Sequence, residues 1–276
     1  MNPTQAVPRT YLFVPGTRPE RFDKALASGA DALVLDLEDA VAPEDKDAAR
    51  RHVAGWLQAA DAADRARAVV RINDAAAPWF AADLAALQGT GVAQVMLPKA
   101  EHADQVAAVR QGLPGVAVLA LIESARGVAE VDRVAAAEGV GRLVFGTLDF
   151  ALDLGLVIDA DAVGLHYAAA RIAIASRLAG LPAPVAGVTP QLDDEPRLLA
   201  DLAQARCHGF GAKLCIHPRQ VASIHSALRP SEAELAWARR VLDADAATPG
   251  VARLDGRMVD LPVVRQAHRT LLAAGH

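Results

Sequence analysis

The sequence predicts an α/β protein: a closed (β/α)8 TIM barrel of parallel strands with a C-terminal helical extension. Three observations predict it. From residue 10 to residue 217 one unit recurs eight times, a short apolar run, a polar or glycine-bearing turn and a longer amphipathic stretch. The apolar runs are nearly continuous instead of alternating, as they are in strands buried on both faces. No G-x-G-x-x-G opens a helix, which counts against an open dinucleotide-binding sheet.

The strand runs are YLFVPG from Tyr11, ALVLDLED from Ala32, AVVRIN from Ala68, QVMLPK from Gln94, AVLALIES from Ala117, RLVFGTLD from Arg142, PVAGVTP from Pro184 and AKLCIHP from Ala212. Helical spacing fills residues 18–28, 43–60, 78–88, 102–111, 128–137, 161–179 and 195–208, with 219–227 after the last strand. The barrel is assigned to residues 1–228. Beyond it, a Ser231-x-x-Glu234 capping box opens a helix over 231–243, a loop with Gly and Pro spans 248–257, and a last helix starts near Pro262 with Asp260 placed to cap it. Residues 229–276 are read as a helical arm or lid.

A chain of 276 residues, 53% hydrophobic, has ample material for one large core. Its net charge of −5, with Lys and Arg scattered, carries no nucleic-acid footprint. The two cysteines, Cys207 and Cys215, form no C-x-x-C and read as buried, reduced thiols. The N-terminal residues show no basic start followed by a long apolar run, so a cytoplasmic setting is expected. Residues 161–180 are interrupted by His166, Arg171 and Arg177 and do not read as a membrane span.

Chemistry concentrates in residues 116–155. Two apolar runs end in Glu123 and Asp149, separated by Val128, Val131, Val134 and Ala135 at helical spacing. Parallel strands put both acids at one edge, where they repel unless a cation lies between them; a hard divalent ion such as magnesium resolves this. The alternative is structural, with Glu123 or Ser124 capping the next helix.

Active sites of such barrels lie at the C-terminal ends of the strands. Arg18, Asp36, Glu38, Asp39, Arg71, Asn73, Lys99, Glu123, Asp149, Thr189, Gln191 and His217 all fall there. Arg71, embedded in VVRIN, suits two-point binding of a carboxylate, and a buried ion pair with Glu38 or Asp36 is its structural alternative. Alternation puts Asp36 and Glu38 on one face; Glu38 is assigned to the site and Asp39 to a turn or cap. Lys99 reads as an anion contact or a solvated lysine. His217 is a mouth residue or a hydrogen-bonded strand end.

RTYLFVPGTRPERFDKA, ALVLDLEDAVAPEDK, VVRIN, LPKAE, LIESARG, FGTLDFALDLG, GFGAKLCIHPRQV and MVDLPVVRQA, in this order, resemble the citrate lyase beta-subunit-like proteins of the HpcH/HpaI aldolase and citrate lyase superfamily. The resemblance spans nearly the whole chain. It implies a modified TIM barrel, trimers or hexamers, and magnesium-dependent cleavage or formation of carbon–carbon bonds in acyl-CoA thioesters. By resemblance Glu123 and Asp149 are the metal ligands, Arg71 meets the substrate carboxylate, Glu38 is an active-site acid, and Asp260 enters an adjacent subunit's site as acid/base. Arg18, Lys99 and Lys213 are candidates for the CoA phosphates. Where many relatives carry an acid before the metal-binding aspartate, this chain has Leu148. The substrates expected are citramalyl-CoA or malyl-CoA, giving a 2-oxoacid and acetyl-CoA or a homologue. A citryl-thioester subunit dependent on partners, or an aldolase of free hydroxy-oxo acids, are the alternatives.

Overall fold

Eight strands close into a parallel barrel in chain order: β1 (Thr10–Pro15), β2 (Ala32–Asp36), β3 (Ala68–Arg71), β4 (Gln94–Leu97), β5 (Ala117–Ile122), β6 (Val140–Phe145), β7 (Val185–Ala186) and β8 (Ala212–Cys215), with β8 pairing back to β1. This is a computed structural model, describing residues 7–158, 161–248 and 252–274. The helices between strands are α1 (Phe22–Leu26), α2 (Lys46–Ala59), α3 (Ala62–Arg67), α4 (Phe80–Leu87), α5 (Ala103–Gly112), α6 (Ala125–Ala129), α7 (Val131–Ala136), α8 (Thr147–Leu154), α9 (His166–Leu178) and α10 (Glu195–Cys207). α11 (Arg219–Leu228) follows β8.

The strands are apolar on both faces because both faces are buried. Tyr11, Ala32, Val34, Val69, Met96, Leu119, Leu121, Val144, Val185, Ala212 and Leu214 pack inside the barrel. The intervening Leu12, Leu33, Leu35, Val70, Val95 and Val118 are buried on the opposite face, where the helices lie. Each such side chain contributes about 1.5–3 kcal/mol on leaving water. Arg142 is buried towards the N-terminal end of the barrel, where its guanidinium donates to the Ala183 and Pro8 carbonyls at 2.7 and 2.6 Å and to the Tyr11 hydroxyl at 3.1 Å.

Four elements depart from the sequence reading. The helix expected over 128–137 is two, α6 and α7, because the backbone turns at Glu130 (φ −97, ψ 5). α3 lies in a segment to which the sequence assigns no element; Asp61 caps it by accepting the Asp64 N–H at 2.8 Å. α8 was also unread, and it carries Asp149, so this acid stands in the first turn of a helix and not on a strand end. In the C-terminal loop, β9 (Arg253–Leu254) and β10 (Arg257–Met258) form a hairpin whose turn residues Asp255 and Gly256 both have positive φ, the geometry of a type I′ turn. Residues 249–251 of that loop, and residues 1–6 of the N-terminal stretch, lie outside the described residues.

By contacts the chain forms two units, Met1–Ile224 and His225–His276. In the second, α12 (Glu232–Ala247) and α13 (Leu261–Ala273) pack with the hairpin around Ala238, Val241, Ala252, Val259 and Ala267. The Ser231–Glu234 capping box is formed, with Glu234 N–H on Ser231 Oγ at 3.2 Å and Ser231 N–H on Glu234 Oε2 at 2.7 Å. No helix among the described residues is long and apolar enough to cross a membrane.

Candidate active site

Asp36 and Arg71 are direct cross-strand partners at the C-terminal ends of β2 and β3. Their side chains meet as two forks: Nε donates to Oδ1 at 2.7 Å and Nη2 to Oδ2 at 2.6 Å. Asp36, 1% exposed, also accepts the N–H groups of Glu38 and Ala40, so the backbone after β2 is wrapped around its carboxylate. The third guanidinium nitrogen, Nη1, lies 2.8 Å from Glu38 Oε2 and 3.3 Å from Asp39 Oδ2, and the Phe13 ring stacks 4.8 Å from Cζ. Burial opposes the charge on Arg71, but attraction from Asp36, then Glu38 and Asp39, outweighs it and keeps the guanidinium protonated. The ion pair with Asp36 and Glu38 is therefore formed, and Asp39 joins it instead of only closing a turn.

Glu38 sits between two cations. Lys99 Nζ donates to its Oε1 at 3.0 Å, while Oε2 receives no well-aimed N–H despite its closeness to Arg71. Burial pushes the Glu38 carboxyl up, reinforced by Asp39 and opposed by Arg71 and Lys99. Burial disfavours the charge on Lys99, but the attraction and hydrogen bond of Glu38, joined by Glu123 and Asp39, together outweigh it and push the amine up to about 12. Lys99 is not solvated alone: its backbone adopts φ +47, rare for a non-glycine residue, and its N–H donates to Glu123 Oε1 at 2.8 Å.

Beneath Glu38 is an anchor that the sequence reading assigned no role. Lys46 Nζ donates to the Leu37 and Glu38 carbonyls at 2.7 and 2.8 Å and to Asn73 Oδ1 at 2.7 Å. Asn73 Nδ2 donates in turn to Asp83 Oδ2 at 2.6 Å, and Arg50 Nε to Asp83 Oδ1 at 2.7 Å. Burial pulls the Lys46 amine down, with Asp36 and Asp83 opposing. The legible signal was Asp83, a charge on the apolar face of FAADLAAL that demanded a buried cation.

Glu123, 4% exposed, follows β5 directly. Ser124 is the cap of α6, accepting the Gly127 N–H at 3.0 Å, which removes the capping explanation for Glu123. Burial first, then Glu38 and Asp149, push the Glu123 carboxyl up to about 8. Asp149 is half-buried in the first turn of α8, and Asp153 on the same helix accepts the Ala125 N–H at 2.7 Å, tying α8 to the start of α6. Glu123 and Asp149 present oxygen donors only. Among the described residues no cluster of three or more His, Cys, Asp and Glu converges. Two carboxylates with coordination positions left for substrate and water suit magnesium, which keeps waters and takes few protein ligands, better than zinc.

The structure thus brings together Glu38, Arg71, Lys99 and Glu123, with Asp149 close enough to act on Glu123 electrostatically. Arg18, after β1, is exposed, and its guanidinium lies 4.0 Å from Glu20. Lys213 is not at this mouth: it lies on the face of β8 opposite Ala212 and Leu214, is 2% exposed and donates to the Gly187 carbonyl at 2.8 Å. Asp260 caps α13, accepting the Val263 N–H at 3.2 Å. His217 accepts the Arg219 N–H at 3.2 Å, and the Thr189 hydroxyl donates to Asp201 at 2.6 Å, so both have structural partners.

The sequence model of the HpcH/HpaI aldolase/citrate lyase family matches residues 9–218. A citrate lyase subunit beta-like protein of Mycobacterium tuberculosis is 40% identical over 270 residues, covering 96% of this chain and 95% of that one. A (3S)-malyl-CoA thioesterase of Cereibacter sphaeroides is 34% identical over 270 residues, covering 96% and 94%. The crystal structure of protein CitE from Mycobacterium tuberculosis, in complex with magnesium, acetoacetate and coenzyme A, superposes with a TM-score of 0.89 at 38% identity, covering 98% of this chain and 99% of that one. With its closed eight-stranded barrel, its acids at the strand ends and this breadth of similarity, the chain belongs to the HpcH/HpaI aldolase/citrate lyase family of carbon–carbon lyases.

Proposed function

We propose that the protein is a magnesium-dependent lyase that cleaves a 3-hydroxyacyl-CoA of the citramalyl-CoA or malyl-CoA type into a 2-oxoacid and acetyl-CoA or a homologue. The observation that carries this reading is the buried Glu123, repelled by both Asp149 and the Glu38 that pairs with Arg71 at the same end of the barrel. Magnesium and coenzyme A in the crystal structure of the similar CitE support it.

Glu123 and Asp149 would hold the metal, which when bound supplies a positive centre for the oxygen charge that develops on the substrate. Arg71 would orient the substrate carboxylate through Nη1, where the contact with the 61%-exposed Asp39 is long enough to be replaced. Glu38 Oε2, buried and without an aimed N–H, would accept a hydrogen bond from the substrate. Asp260, brought from a neighbouring subunit of a trimer or hexamer, would take the proton of the 3-hydroxyl. The carbon–carbon bond electrons then pass to the thioester as its enolate, and the same proton, returned to the enolate carbon, completes the acyl-CoA product. Arg18 and Lys99 are proposed for the CoA phosphates; Lys213, buried away from the mouth, is not carried forward in that role.

The name of the malyl-CoA thioesterase relative favours a second reading, hydrolysis of the thioester. Incubation of the purified protein with citramalyl-CoA, malyl-CoA and citryl-CoA, with magnesium or EDTA, separates them. Metal-dependent release of a 2-oxoacid without free thiol is expected. Free CoA without 2-oxoacid would establish the hydrolase instead. Glu123→Gln and Asp149→Asn should each lower turnover by about a thousandfold; retention of the wild-type rate would refute the metal assignment.

A further inference from the structure

A cavity of about 190 Å³ opens between the barrel wall at β6, β7 and β8 and the helices α9 and α10, and reaches Leu148 and Gln191 at the edge of the mouth. None of the acids at the mouth lines it. Lys213 does, and this lysine is unusual. It is 98% buried, yet among the described residues no carboxylate lies within 4 Å of its Nζ, and its single hydrogen bond goes to the Gly187 carbonyl at 2.8 Å. Two of its three N–H groups therefore have no acceptor among the described residues. The acid that acts on it most strongly, Asp201 on α10, is already engaged, with Oδ2 taken by the Thr189 hydroxyl at 2.6 Å and Oδ1 by Arg197 Nε at 2.7 Å.

A buried ammonium lacking a paired anion is costly, and the cost falls when an anion enters. The rest of the lining says what kind. Phe145 and Phe210, both buried, have ring centroids 6.4 Å apart and offer an apolar wall. The volume equals that of roughly six waters, room for a ligand of about that many non-hydrogen atoms. Asp201 would repel a second carboxylate.

We propose that this cavity binds a short-chain monocarboxylate, its carboxylate on Lys213 Nζ and its hydrocarbon end against Phe145 and Phe210. The amine fits such a role, since burial pulls it down to about 8 despite Asp201, and an incoming anion would restore its charge. His166 and His208, with rings 4.9 Å apart, also line the cavity and supply further polar groups. This inference does not depend on the lyase reading of the mouth.

The test is titration of the full-length, EDTA-treated protein with butyrate, succinate and inorganic phosphate, followed by calorimetry and ligand-observed NMR. Removing metal keeps the proposed magnesium site out of the measurement. Butyrate should saturate at one site per chain, with succinate and phosphate at least about tenfold weaker. Lys213→Met, which keeps side-chain length and loses the charge, should weaken butyrate by at least about tenfold. Ala205→Trp, filling the cavity from the half-buried side of α10, should do the same with Lys213 in place and decides the matter if Lys213→Met fails to fold. Absence of saturable butyrate binding, equal binding of succinate or phosphate, or affinity unchanged in Ala205→Trp would overturn the proposal.

Discussion

Gly146 stands where any side chain would strike Glu123. A Cβ built there comes within 2.4 Å of Glu123 Oε2 and 2.6 Å of its Cβ. The backbone at Gly146 (φ −86, ψ 84) does not itself demand glycine, so the constraint is space for the carboxylate. Gly146→Ala should displace Glu123 while leaving the barrel folded. Magnesium affinity, read by competition with manganese, should fall by about tenfold or more. Unchanged affinity with unchanged circular dichroism would show that this close packing does not place a ligand.

Arg71→Lys keeps a positive charge but cannot reproduce the two-point contact with Asp36 and still reach Glu38. A buried Asp36 left half-partnered should cost about 3 kcal/mol of stability, seen as a lower urea midpoint. The specificity constant kcat/KM should drop by about a hundredfold, chiefly through substrate binding. Asp39→Asn, by contrast, removes only an exposed 3.3 Å contact and should change stability by less than about 0.5 kcal/mol.

Asp260 has a structural duty that can be separated from the proposed chemical one. Its Oδ1 accepts the Val263 N–H at the start of α13, and asparagine does this as well as aspartate. Asp260→Asn should therefore preserve Tm and lower turnover by about a hundredfold or more. Asp260→Ala should lose both turnover and about 1 kcal/mol of stability. Wild-type turnover in the asparagine variant would leave Asp260 a cap and nothing else.

The two thiols should differ in reactivity. Cys207, expected from the sequence to be buried, is exposed at the end of α10, whereas Cys215 is buried in β8 and pushed up to about 12 by burial, against the lowering effect of Lys213. Because the thiolate is the reacting form, a raised value suppresses reaction until the pH approaches it. Ellman's reagent should titrate one thiol per folded chain, even at about pH 10, and two after unfolding. Rapid modification of two thiols in the native protein would contradict the packing around β8.

The eight strands were legible because burial on both faces writes an unbroken apolar run, even for β7, where only Val185 and Ala186 keep ladder geometry. α8 was not, since it starts on Gly146 with no side-chain cap and directly continues the apolar run of β6. The break between α6 and α7 was hidden because Val128, Val131 and Val134 hold helical spacing across it. Glu38, Arg71 and Glu123 could be picked out as charges set into or just after apolar strands. The network that fixes them could not, because Lys46 reaches Asn73 across 27 residues and Arg50 reaches Asp83 across 33. Lys213 had a readable signal in alternation, which turns it away from Ala212 and Leu214 and hence from the mouth.

Lys99 grips the acid after β2 with its side chain and the acid after β5 with its main chain, from a left-handed backbone. Glu38, Arg71 and Asp36 are joined to the same web. A change at any one of these positions removes a partner from the others, so a substitution on this arc of the rim calls for compensation at its neighbours. Across the barrel, Leu148 and Ile216 are 44% and 39% exposed and free of that web. Single substitutions there can reshape the edge of the barrel without breaking any contact of that arc.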